Sequence, residues 1–176
     1  MVRRPSTGTD RYSTVAIAFH WTIAAGVLLN LWIGIVGGSF AIHKAVGITI
    51  LALTVGRVAW RLAHRPPPLP PTVPGWQRGL AHATHWSLYA LLLLMPLSGW
   101  AMASGGAVRR PLSWFGLFDI PYLPVSPAGA SAAHEGHEVL GYAMLALVAL
   151  HVAGALYHQL IVRDRTLARM APVLDR

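Results

Sequence analysis

The sequence predicts an all-α fold, an integral membrane four-helix bundle, and three observations carry that expectation. The chain has 176 residues, 55% hydrophobic and only 11% charged, whereas a soluble domain carries about a quarter charged residues. Its mean hydropathy is +0.51. Four apolar runs are long enough to cross about 30 Å of hydrocarbon, a distance that takes roughly 20 helical residues. Membrane lipid is therefore the expected solvent for most of the surface.

The first run covers about residues 15–37. The segment before it, Met1 to Asp10 with Arg3, Arg4 and Pro5, is not followed by the short apolar core and small-residue cleavage site of a signal peptide, so this run is expected to remain. Gly37-Gly38-Ser39 predicts a tight helical hairpin into the second run, about 41–63. Between His64 and Trp76 the prolines Pro66, Pro67, Pro68, Pro70, Pro71 and Pro74 predict a stiff, extended connection. The third run, about 79–103, contains Pro96, which predicts a kink of the kind neighbouring helices tolerate. Ser104 to Ala133 is the longest connection; its Trp114, Phe115, Phe118 and Tyr122 favour the headgroup level, so it is expected on the membrane surface. The fourth run covers about 136–162, and a single domain, 1–176, contains all four.

The formal net charge is +8, yet the basic residues cluster at the ends of apolar runs rather than along one helix face, which argues for topology and against nucleic acid. Arg3, Arg4, Arg11, Arg61, Arg65, Arg78, Arg163, Arg165, Arg169 and Arg176 fall on the side shared by both termini and the proline-rich connection. Only Lys44, Arg109 and Arg110 fall on the other. Both termini are thus expected in the cytoplasm of a bacterial inner membrane protein. The chain has no cysteine, which excludes disulfides, iron–sulfur clusters and thioether-linked haem.

Nine histidines, several inside apolar runs, are the unusual feature, because a polar group in hydrocarbon is costly unless partnered. His137 and His151 are 14 residues apart, which places them about 40° out of line and about 21 Å apart along one helix. In an antiparallel bundle His20 matches the depth of His151, and His43 matches His137. Two facing pairs at two levels are suitable axial ligands for two haem b groups, the large macrocycles filling space between helices. The competing reading is a haem-free helical transporter whose histidines line a proton or ion path.

Gly47 and Gly141 lie one turn inward from His43 and His137, and Gly34 lies 14 residues after His20. Porphyrin clearance and simple helix packing both explain them. Arg57, 14 residues after His43, faces the inner level, either as a fork for a haem propionate or as a snorkelling side chain. His134 lies about 100° off the face shared by His137 and His151, an interfacial position, and His134-Glu135-Gly136-His137 lacks the spacing of a zinc protease. His82, His85 and His158 stand as alternative ligands, propionate partners or quinone contacts.

At these residues the chain resembles the bacterial cytochrome b561 family over nearly its whole length. The matching segments are Arg11-Tyr12-Ser13 with Phe19-His20-Trp21, Ile42-His43 through Gly47-Ile48, Val55-Gly56-Arg57, Gly79-Leu80-Ala81-His82 with His85, His137-Glu138, Gly141-Tyr142 and Leu150-His151. The resemblance implies that the positions matching His20, His43, His137 and His151 are axial ligands. It also implies electron transfer from superoxide at the outer side to ubiquinone within the membrane. Under it, Arg78, His82 and His158 are candidate quinone contacts, and Lys44, Arg109 and Arg110 candidate steering charges for an anionic substrate; Asp119, Glu135 and Glu138 oppose that field. The alternative within the resemblance is a cytochrome b subunit or anchor serving a separate periplasmic redox protein.

Overall fold

The structure is a computed structural model that describes residues 11–64, 66–68, 73–106 and 111–174. Three helices start on serine caps. The side-chain oxygens of Ser13, Ser39 and Ser126 accept from the main-chain N–H of Ala16 at 3.2 Å, Ile42 at 3.4 Å and Gly129 at 3.1 Å. They open α1 (Thr14–Val36), α2 (Phe40–Ala63) and α4 (Pro127–Tyr157). The remaining long helix, α3 (Gly75–Ser104), follows Pro74 and runs unbroken through Pro96. All four are long and apolar enough to cross a membrane, and their outward faces carry large apolar side chains such as Trp32, Leu62, Val139 and Ile161 that acyl chains can solvate.

α4 begins nine residues before the point where hydropathy alone marks its start, 136. Ser126 caps it, Pro127 occupies the first turn where a missing N–H costs nothing, and Ala128, Ala130, Ala132 and Ala133 favour helix strongly. With 31 residues this helix is about 46 Å long, more than the hydrocarbon requires. The third connection shortens accordingly to residues 105–126.

The α1–α2 hairpin turns through Gly37 and Gly38, whose φ angles of 104° and 159° only glycine adopts readily. α1 packs on α2, α2 on α3, and α3 on α4, while among the described residues no comparable packing joins α4 to α1 or α2. The bundle therefore closes at its middle through side chains. Ile23 and Val27 of α1, Ile50 of α2, Leu91 of α3 and Met144 of α4 form one buried apolar slab there.

Both ends are covered. At the hairpin end a short antiparallel ribbon, β1 (Ser113–Trp114) with β2 (Phe118–Asp119), folds back over the helices. Trp114 Nε1 donates to Thr49 Oγ1 at 3.0 Å, Trp100 Nε1 to the Pro121 carbonyl at 2.9 Å, and the Leu123 N–H to Ser104 Oγ at 3.0 Å. Lys44 Nζ donates to the Pro111 carbonyl. The ribbon turn stays exposed through Phe115, Leu117 and Phe118, while Trp114, Pro121 and Leu123 of the same connection bond to the bundle. At the opposite end the chain after α4 folds back: Trp21 Nε1 donates to the Met170 carbonyl and Arg169 Nη2 to the Pro68 carbonyl, both at 2.8 Å.

At the slab in the bundle centre buried apolar side chains of all four helices meet. Leu91→Ala is expected to destabilise the fold by about 2–5 kcal/mol, lost burial plus the residual cavity. Thermal unfolding in detergent checks this, and an unchanged midpoint would show that the slab does not hold the helices together.

Candidate functional site

His20 is the seventh residue of α1 and His151 the seventh from the end of α4, so antiparallel packing brings them to one depth near the end that carries both termini. Their ring centres are 6.1 Å apart. At the hairpin end His43 of α2 faces His137 of α4, and their ring centres are also 6.1 Å apart. A metal between two imidazoles stands about 2 Å from each nitrogen, and each nitrogen lies about 1 Å from its ring centre, so ligation from both sides needs centres about 6 Å apart. Both pairs meet that requirement. The neutral nitrogen donors are those haem iron takes in electron-transfer cytochromes.

The hairpin-end pair lines an apolar cavity with Asn30, Gly47, Gly99 and Leu112. A Cβ on Gly99 would stand 3.2 Å from His137 Cε1, and one on Gly34 would stand 3.8 Å from His43 Cε1. Gly47 lines the same cavity beside Asn30. Gly141, by contrast, meets the Met95 methyl group at 3.9 Å and lies outside the cavity lining, a helix-packing position. His137 Nδ1 lies 3.1 Å from the Met95 carbonyl and 2.9 Å from Ser98 Oγ. Asn30 Nδ2 donates to the His43 carbonyl at 3.1 Å.

The level near the termini is richer in polar groups. His85 of α3 stands 5.3 Å from His151, ring centre to ring centre, and its Nδ1–H donates to the Ala81 carbonyl at 2.6 Å. The His85 distance is shorter than ligation from both sides requires, so His20 remains the better-placed partner of His151. Arg57 Nε donates to the Tyr89 hydroxyl at 3.1 Å, and the Arg57 and Arg61 guanidiniums lie 5.7 and 5.8 Å from the Tyr89 ring centre. Arg57 is thus fixed at this level and not extended into headgroups.

Of the other candidates, Arg78 and His82 are exposed on the first turns of α3, and among the described residues neither shares a hydrogen bond with His158. His134 is exposed, with Nδ1 3.0 Å from Met102 Sδ. Arg109 and Arg110 lie outside the described residues. His158 opens a single π-helical turn, His158–Val162, that ends on Arg163 in the left-handed conformation. This turn swings Asp164 back, so that His158 Nδ1 and Asp164 Oδ2 are 2.6 Å apart and Asp164 Oδ1 accepts from the Thr166 N–H at 2.8 Å. Sequence spacing did not reveal this pairing, because a six-residue separation meets only across a π-turn.

The chain matches the family described as prokaryotic cytochrome b561 over residues 11–172. It is 36% identical to "Cytochrome b561 homolog 2" of Escherichia coli (strain K12), covering 92% of this chain and 91% of that protein. It is 31% identical to "Probable superoxide oxidase CybB" of Yersinia pestis, covering 92% and 96%, and 28% identical to "Cytochrome b562" of Cereibacter sphaeroides, covering 90% and 94%.

Burial of the Asp164 carboxyl opposes its ionisation, but hydrogen bonds from Thr166 and His158 outweigh that and hold the group below its ordinary value of 3.8. A depressed acid stabilises the fold above its ordinary pKa and loses that contribution as pH falls through the lower folded value. The turn is therefore expected to hold at neutral pH and to loosen only below the ordinary carboxylate range. Hydrogen exchange of the Thr166 amide against pH checks this; loosening already near neutral pH would contradict it.

Proposed function

The chain belongs to the prokaryotic cytochrome b561 family of haem b-binding membrane electron carriers, and we propose that it is a two-haem superoxide:ubiquinone oxidoreductase of the bacterial inner membrane. The observation that carries the two-haem reading is the recurrence of one spacing, 6.1 Å between ring centres, in two imidazole pairs at opposite ends of the bundle. In this reading His20 and His151 ligate the inner haem and His43 and His137 the outer. Haem b held on both faces supplies one-electron transfer through its porphyrin edge and leaves no iron position open to oxygen. Membership in a haem-binding family sets aside the haem-free transporter.

The remaining residues take roles from their positions. The arginine-rich end with both termini faces the cytoplasm. Arg57, held by Tyr89 beside the inner histidines, pairs with a propionate of the inner haem. Lys44, tied to the carbonyl of Pro111, is the described steering charge for an anion at the outer side, and the sequence adds Arg109 and Arg110. Two superoxide ions leave there as dioxygen, and their two electrons with two protons convert one ubiquinone to ubiquinol. Arg78, His82 and His158 are the donors for the quinone carbonyls near the inner level. The name carried by the Yersinia relative supports superoxide as donor.

One observation favours a second reading, a cytochrome b subunit for a periplasmic redox protein: the exposed Phe115, Leu117 and Phe118 at the ribbon turn form a small apolar knob of the kind partner proteins cover. Stopped-flow mixing of purified protein with superoxide separates the two. Near-diffusional haem reduction is expected; slow reduction would remove the oxidase and leave the subunit.

His158→Ala and Arg78→Ala are expected to slow ubiquinone reduction while both haems keep their absorption. Loss of a haem in either variant would show that a ligand had been taken for a quinone contact.

A further inference from the structure

His43 and His137 come from different helices, yet each ring rests against its neighbour helix in the same way. His137 Nδ1 meets the Met95 main-chain carbonyl at 3.1 Å, and Gly99, four residues on, lies under the ring, where a Cβ would stand 3.2 Å from Cε1. On α1 Gly34, again four residues after a residue bonded to the His43 segment, Asn30, would place a Cβ 3.8 Å from His43 Cε1. In a helix the carbonyl of residue i is bonded by the N–H of residue i+4 and flanked by that residue's side chain. Glycine at i+4 removes the side chain and lets an outside donor approach the carbonyl.

The two sockets differ in tightness. At His137 the Ser98 hydroxyl donates to the Met95 carbonyl at 2.8 Å, so its oxygen turns lone pairs toward Nδ1 at 2.9 Å and adds a second acceptor. At His43 the Asn30 carboxamide ties α1 to the His43 carbonyl, but the buried Nδ1 closes no hydrogen bond among the described residues. Among the described residues no glycine presents its missing side chain to His20 or His151. The device belongs to the outer level alone.

We propose that Met95, Ser98 and Gly99 form a carbonyl socket that positions His137 as its Nδ1–H tautomer and lowers the potential of the outer haem, with Asn30 and Gly34 as a looser counterpart for His43. Donation from Nδ1–H points the Nε2 lone pair at the iron and makes the imidazole more basic, which favours the oxidised metal. The proposal rests on the two-haem reading. Ser98 and Gly99 are positioning residues, acting through His137.

Redox titration of purified variants, followed in the visible spectrum with haem counted separately, tests it. Ser98→Ala adds no bulk; it is expected to keep two haems per chain and to raise one midpoint potential, the one that disappears in His43→Ala. Ser98→Thr keeps the hydroxyl and is expected to keep the wild-type potential. Gly99→Ala is expected to shift the same haem further and change its low-spin EPR signal, or to weaken its binding on the order of 10–100-fold. Gly34→Ala has more room and is expected to do less. Unchanged potentials in both Ser98→Ala and Gly99→Ala, or equal movement of both haems, would overturn the socket. A wild-type protein with fewer than two haems would overturn the reading beneath it, a result visible before any variant is made.

Discussion

An imidazole carries one donor and one acceptor, and in hydrocarbon neither finds water; four of them within a bundle of apolar helices set a cost that the fold must offset. The arrangement of the helices follows from how that cost is met. α4 supplies one ring at each level, α1 and α2 supply the opposing rings, and the backbones of these partners do not pack against α4 as α3 does. The slab formed by Ile23, Val27, Ile50, Leu91 and Met144 holds the helices together between the levels, and the hairpin-end level opens into a cavity beside it.

The two levels are built differently. The hairpin-end pair lines an apolar cavity, with a glycine against each ring and the Met95 main-chain carbonyl against His137. The opposite level gathers Arg57, Arg61, Tyr89 and a third imidazole, His85, around His151. Positive charge close to an iron favours its reduced state, and electron-rich ligands favour its oxidised state. In the two-haem proposal this asymmetry would draw electrons from the ribbon end toward the end that carries the termini, the direction a quinone reductase fed from outside requires.

Much of this was legible in the sequence, because hydropathy marks helices that must span lipid and antiparallel topology converts residue spacing into depth. The pairing of His20 with His151 and of His43 with His137 needed nothing more. What escaped depends on contacts between helices or on local turn chemistry. Gly99 sits three residues after Pro96 and gives no sign in the sequence that it lies under His137. His85 looked like one of several spare histidines until α3 was docked beside α4. The early start of α4 was hidden because Ser131, His134 and Glu135 depress hydropathy in a segment that Ser126, Pro127 and four alanines make helical. The hydrogen bond from Trp114 to Thr49, which ties the third connection to α2, likewise gave no sign in the sequence.

The central claim is that each facing pair holds one haem, and counting haem per chain tests it most directly. A pyridine haemochrome assay on purified protein should give two haems, and the same assay on His43→Ala should give one, with the remaining haem still showing the sharp reduced bands of a low-spin centre. A single haem in the wild-type protein, or two retained after His43→Ala, would contradict the account.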